Sequence, residues 1–345
     1  MAKIPAMLRL VVGSSLLLLT SVTGAHAQTL WNGPLPVQNE RPFQSAFLHF
    51  EAQNPSVLEK GKSRYGVAFH VANDLLIPAE SNGSRVEEDF ETGRVQLNYS
   101  RGIGKGWELG ARTNFVVRDG GLLDGFIESY HRLFGLEGNG EDNPIGRDDI
   151  PRDRDILFFQ DANGNGVNVG SQNGLGDTTL EVRRQLSEGR FASAARFGVK
   201  IPTGSGNRIL GSGGFDAGIG VDARREFGSR FSLFGSANAF LYGNSDIPNA
   251  KKSGIGGGLG LEYKAGRRDS ILAQLDAQTR TVTTGNSFAD RTPVIASVGY
   301  KHRFGDNRTL FASFSENGDY TNYNAPFLGN IGPDLTLSIG FEWRH

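Results

Sequence analysis

The sequence predicts a transmembrane, up-and-down antiparallel β-barrel of about 12 strands, with a helical insertion in one long external loop. Three observations lead there. In the final stretch, 335–345, Leu335, Leu337, Ile339, Phe341, Trp343 and His345 alternate with Thr336, Ser338, Gly340, Glu342 and Arg344. Side chains on a strand point to opposite faces in turn, so this strand has one greasy face and one wet face. The same alternation recurs many times upstream, in segments long for a soluble sandwich. Finally, the chain opens with an export signal.

That signal is residues 1–27: Lys3 and Arg9 precede an apolar run over 10–19, and Ala25-His26-Ala27 is a small-x-small cleavage site. Its removal leaves 345 − 27 = 318 residues, with no second apolar run long enough for a spanning helix. The formal charge becomes (36 − 2) − 37 = −3, a balance that argues against a nucleic-acid partner. The chain has no cysteine, which excludes disulfides and thiolate metal sites. Glycine is abundant, 48 of 345, and sits within alternating segments and at turns, where it relieves crowding on a curved sheet. A mean hydropathy of −0.33 is compatible with a barrel, because only every second residue of a strand faces lipid.

Residues 28–61 are proline-punctuated and extended, and over 43–51 they read either as a strand or as a plug folded into the lumen. The barrel occupies 62–345. Its strands are 64–71, with Tyr65, Val67, Phe69 and Val71 on one face, then 93–100, 107–117, 177–186, 191–201, 215–227, 231–242, 255–265, 271–282, 294–304, 310–316 and the closing stretch. Short Gly-rich turns near 101–106, 187–189, 228–230, 266–269 and 305–307 alternate with longer connections over 73–92, 119–176, 202–214, 243–253, 283–291 and 317–334. Short periplasmic turns, long external loops and even parity are the barrel arrangement. Fourteen strands would require 43–51 and one further segment to pair.

With the apolar face outward, Arg94, Arg112, Arg183, Arg196, Lys200, Arg224, Lys264, Arg280, Lys301, Arg303 and Arg344 face the lumen, as do Glu108, Glu181, Asp222, Glu262, Asp276 and Glu342. An open lumen of this composition would weakly favour anions. Alternatively, interleaved charges of both signs pair with one another and fill a narrow barrel.

Within the insertion at 119–176 the apolar period changes from two to three-and-four. Leu122, Leu123, Phe126, Ile127, Tyr130, Leu133 and Phe134 make one face of a helix near 122–134, stopped at Gly135. Such a face is buried as a lid over the mouth, lies on the outer leaflet, or receives an apolar ligand. Asp124, Glu128 and His131 share its polar side, but no G-x-S-x-G or H-E-x-x-H accompanies them, so no catalytic residue is assigned. Asp161, Asn163 and Asn165 have the oxygen spacing that opens a Ca2+ loop, although Gln172 stands where a bidentate Glu belongs, and an ordinary Asn/Gly turn accounts for them equally.

Residues 33–39 (GPLPVQN) with Pro42-Phe43, and 120–128 (GGLLDGFIE) with His131 and Phe134-Gly135-Leu136, resemble the bacterial family of domain of unknown function 3187, over nearly the whole mature chain. The resemblance implies an outer-membrane β-barrel and no established activity. Residues 174–180 (GLGDTTL) are similar to a motif of outer-membrane proteins of aromatic-compound degradation. Ser338, Gly340, Trp343 and His345 match the C-terminal signal read by the barrel-assembly machinery, with His in place of the usual Phe. The expectation is a bacterial outer-membrane protein of a Gram-negative cell, in contact with lipid and lipopolysaccharide. It would pass a small solute, an apolar one included, under the control of the external helix. A closed barrel with a structural or surface role is the alternative; an outer-membrane hydrolase using His131 is a third reading.

Overall fold

Alternating side chains close this chain into a tube. The computed structural model describes residues 33–121, 123, 125, 129, 154–287, 289–316, 333 and 335–345, with the backbone alone for 77–80. Its strands are β1 (Ser63–Ser81), β2 (Ser84–Gly104), β3 (Trp107–Asp119), β4 (Ile156–Gln160), β5 (Gly166–Val169), β6 (Gln172–Leu175), β7 (Thr178–Ser187), β8 (Phe191–Ile201), β9 (Asp216–Phe227), β10 (Phe231–Tyr242), β11 (Ser253–Lys264), β12 (Asp269–Gln278), β13 (Val294–Phe304), β14 (Arg308–Glu316) and β15 (Leu335–Arg344). β1, β2, β3 and β7 to β15 each pair antiparallel with both neighbours, and β15 returns to β1 with Trp343 opposite Tyr65, giving a closed 12-stranded barrel. Closure leaves no unpaired wall edge, which a strand in hydrocarbon cannot tolerate.

Three connections differ from the sequence expectation. Residues 73–92, read as a loop, continue β1 and β2 as a long hairpin whose two-residue turn is Asn82-Gly83, with φ of 54° and 76°. Both central residues of that turn type need positive φ, which Asn-Gly supplies at little cost. Within 119–176, β4 and β5 form a hairpin that pairs through β4 with Arg85–Asp89 of β2, and β6 extends the wall along β3. The stretch 271–282 leaves the sheet at Gln278, beyond which the Thr279 carbonyl accepts from Gln44 Nε2 and the Thr281 hydroxyl donates to Phe43 O of the chain inside the barrel. The signal peptide read at 1–27 and nearly all of the helix read near 122–134 lie outside the described residues. Gly125 and Ser129 are helical there, and the Ser129 hydroxyl donates to Gly125 O at 2.8 Å.

The outer wall is apolar: Phe69, Leu97, Ile219, Leu259, Ile271 and Val298 are each at least half exposed. The inner wall is polar, and it is not empty. Residues 33–58 lie inside, climbing beside β11, β12 and β13, turning through the short helix α1 (Pro42–Ser45), and descending beside β9, β8 and β7 before 59–62 lead out to β1. Near the long-loop end, Phe43, Phe47, Leu48 and Phe50 of this segment pack with Val86, Phe90, Leu157, Phe159, Ile209, Phe240, Ile247 and Val282 in one buried apolar cluster. Full burial of each such side chain is worth roughly 1.5–3 kcal/mol.

Candidate functional site

The lumen and the segment threaded through it form the site. A chain inside a polar tube must have its own N–H and C=O groups satisfied, and the wall supplies the partners. On the ascending leg, Lys301 Nζ donates to Gly33 O at 2.6 Å and Pro34 O at 2.9 Å. Glu262 accepts from Gly33 N at 3.2 Å, and Gln274 Oε1 accepts from Leu35 N at 2.8 Å. At the summit, Arg94 forks onto Glu40 at 2.6 and 2.9 Å, and Arg41 forks onto Glu88 at 2.5 and 2.7 Å. On the descending leg, Lys200 reaches Ala46 O, Arg112 reaches His49 O, Arg196 reaches Glu51 O and Arg183 reaches Asn54 O. Asp216 accepts from Leu48 N at 2.9 Å, Gln185 from Val57 N at 2.8 Å and Glu108 from Leu58 N at 2.8 Å.

The expected lumen residues are thus largely committed. Arg196 also pairs with Asp222 at 2.8 Å, Lys200 with Asp177 and Asp216 at 2.6 and 3.1 Å, and Arg112 with Glu51 at 3.1 Å. Arg224 donates to Asn54 Oδ1 at 3.1 Å, and Asp276 accepts from Gln274 at 2.7 Å. Two sit elsewhere. Arg280 lies beyond the end of β12 and bonds Asp290 O, while Arg303 stands at the short-turn rim, 3.9 Å from Asp306. Both signs of charge interleave and pair, as buried ions must.

Shape contributes as well as charge. Gly198 and Gly218 face each other across β8 and β9, and a Cβ on Gly198 would stand 2.6 Å from the Phe50 ring. A Cβ on Gly218 would stand 3.1 Å from both Phe50 and Leu48. The paired glycines make a notch that seats the Phe50 ring, with the Arg196 guanidinium over it at 4.7 Å. Towards the short turns, the two legs separate and leave a cavity of about 160 Å3, bounded by Arg64, Arg183, Lys301 and Arg344 with Glu181 and Glu342. It has room for a few waters.

The sequence profile of the family described as "Protein of unknown function (DUF3187)" matches residues 10–344. The chain belongs to that family. No curated protein matches this DUF3187 member. Its fold is similar to the crystal structure of the COG4313 outer membrane channel from Pseudomonas putida F1, at 14% identity and a TM-score of 0.54, over 86% of this chain and 100% of that one. The Ralstonia pickettii toluene transporter TbuX (10% identity, TM-score 0.39, 84% and 92% coverage) and the KdgM porin (6%, 0.41, 81% and 98%) are too distant for anything to be drawn from them.

Of the expected lid face, Leu123 is described, and its N–H donates to Glu91; Leu122, Phe126, Ile127, Tyr130, Leu133 and Phe134 lie outside the described residues, as does His131. Asp161 accepts from Asn163 N at 2.8 Å, Asn165 N at 2.9 Å, Asn165 Nδ2 at 3.1 Å and Asn249 Nδ2 at 2.8 Å. These donors, Asn249 first, hold its carboxyl below the usual range. Among the described residues no group of three His, Cys, Asp or Glu side chains is placed to hold a metal. Sequence reasoning missed Glu40, Arg41, Glu88 and the inward glutamines Gln185, Gln274 and Gln278. The glutamines alternate in step with the charged lumen residues of their strands, and that was the available signal.

Proposed function

We propose that this DUF3187 protein is a bacterial outer-membrane channel for passive passage of a small solute, in which residues 33–58 act as the gate. The observation that carries the reading is how the segment is held. Apart from the apolar packing of Phe43, Phe47, Leu48 and Phe50, it crosses the lumen on hydrogen bonds and ion pairs, and no disulfide ties it to the wall. Such contacts can be exchanged for water one by one as the segment moves. The exposed apolar outer wall supports a lipid environment. The short turns then face the periplasm, and Ser338, Gly340 and Trp343 of β15, with His345 after it, are offered to the assembly machinery. The external helix near 122–134 is a second candidate gate on the same path, where an apolar solute would first be received.

Single-channel conductance in planar bilayers tests this reading. Deleting 34–57 should convert rare or absent openings into steady steps with a weak anion preference. Deleting 120–136 should raise opening frequency only if the helix also gates. A deletion variant that is folded, as shown by heat-modifiable mobility, yet silent would refute the gate. One observation favours the alternative of a permanently closed barrel with a structural role. The pairs Arg94–Glu40 and Arg41–Glu88 are nearly solvent-free, and breaking a buried pair is costly. Silence of the full chain under all voltages and solutes, together with a conducting deletion, would support that alternative.

A further inference from the structure

The short-turn rim carries a charge pattern that the lumen does not use. Each of the five short turns, or the residue beside it, presents an exposed cation: Lys105, Arg190, Arg230, Arg268 and Arg308. Among the described residues, the exposed acids at this end are Glu59, Glu188 and Asp306. Two further arginines stand on the outer wall itself. Arg184 alternates with Val182 and Leu186 on β7, and Arg225 alternates with Val221 and Phe227 on β9; Leu186, Val221 and Phe227 are between 45% and 55% exposed. An arginine on a lipid-facing row is costly unless its head lies at the interface.

Aromatic rings place that interface. Tyr65 on β1 meets Tyr99 of β2 and Trp343 of β15, with centroids 5.1 and 5.4 Å away, and Phe231 meets Tyr263 at 5.1 Å on β10 and β11, all beside the short turns. Tyr and Trp settle at headgroup depth. The cations are built onto this girdle. Arg184 lies over the Trp107 ring at 5.2 Å, and Arg230 Nη1 meets the Tyr263 hydroxyl at 3.3 Å. A guanidinium braced on an aromatic face keeps its fork of donors for a planar or tetrahedral anion.

We infer that the short-turn rim, through Arg184, Arg225 and Arg230, is a docking surface for the phosphate headgroups of anionic phospholipid in the leaflet it meets. This inference rests on the membrane reading above. The occupant follows from position: cations at girdle depth, beneath an apolar wall, are adjacent to lipid headgroups and positive where those headgroups are negative. Bound in this way, anionic lipid sets the height of the barrel in the bilayer and braces the end through which the luminal segment joins β1.

Spin-labelled lipids test the surface on the full chain reconstituted in phosphatidylcholine vesicles. Electron paramagnetic resonance reads the motionally restricted shell for labelled phosphatidylglycerol and for labelled phosphatidylcholine. The expected result is enrichment of phosphatidylglycerol by about threefold or more, falling towards unity in 0.5 M salt. It should fall equally in the triple variant Arg184→Gln, Arg225→Gln, Arg230→Gln, and persist in Lys252→Gln at the opposite end. A restricted shell with no preference between the lipids would overturn the inference while leaving the barrel in the membrane. Preference that survives the triple variant would overturn it too, and would pass the role to another surface. No restricted component for either lipid would instead mean that the membrane reading itself had failed.

Discussion

The two ends of the lumen are closed by different physics. Towards the long loops, Phe43, Phe47 and Leu48 are sealed by side chains from the β1–β2 hairpin, from β4 and from the connections after β8, β10 and β12. Towards the short turns, 51–58 hang on directional bonds with Arg183, Gln185, Glu108 and Arg224, and 51–54 line the cavity. An apolar seal is non-directional and is lost in one piece, when the whole cluster opens. A series of polar bonds can be replaced by water singly. Under the proposed gating, opening would therefore be limited at the long-loop end, with the short-turn half following.

Substitutions at the two ends should differ in size and in kind. The largest effect is expected from Phe159→Ala, which removes a fully buried ring edge-on to Phe43, with centroids 5.4 Å apart. It should cost about 3–5 kcal/mol, read as a lower denaturant midpoint and a higher opening frequency. Gly218→Ala should come next. The added methyl meets Phe240, Leu48 and Phe50, and overpacking of about 1–3 kcal/mol should expel the Phe50 ring and raise hydrogen exchange over 47–52. Gln185→Ala should be mildest, about 1 kcal/mol, because it removes the hydrogen bond to Val57 N and no ring from the apolar cluster. Its exchange should rise at 56–58 alone, with the opening frequency unchanged. If Gln185→Ala opened the channel as readily as Phe159→Ala, the two ends would not differ in the way described.

Much of this was legible in the sequence, for a physical reason. A wall strand with an apolar outer face and a filled polar lumen behind it must alternate, so 191–201, 231–242 and 294–304 show their bounds directly. The inward charges follow from the same parity. Elsewhere the local pattern weakened. The hairpin over 73–92 carries a run of acids, Glu87 to Asp89, which pair with Arg41 and Arg154 rather than alternating by polarity, so only Asn82-Gly83 marked its turn. The luminal path of 33–58 was less legible still, because its hydrogen-bond partners on the wall are 45 to 268 residues distant along the chain. A segment satisfied by the wall needs neither helical nor strand periodicity. Likewise the glycines at 198 and 218 read as relief for a curved sheet, whereas they also seat the Phe50 ring.

The central claim, that the segment leaves the lumen without the barrel unfolding, has a direct test because the chain has no cysteine of its own. Ala46 is 2% exposed beside the helix at the summit, with its carbonyl held by Lys200. A single Ala46→Cys variant, folded in lipid, is exposed to a membrane-impermeant maleimide and the labelling rate is measured. Labelling should proceed far faster than global unfolding, and should accelerate several-fold when Arg41→Ala releases the pair with Glu88. Labelling that occurs only under denaturing conditions, with or without Arg41→Ala, would contradict the account and leave the segment a fixed part of a closed barrel.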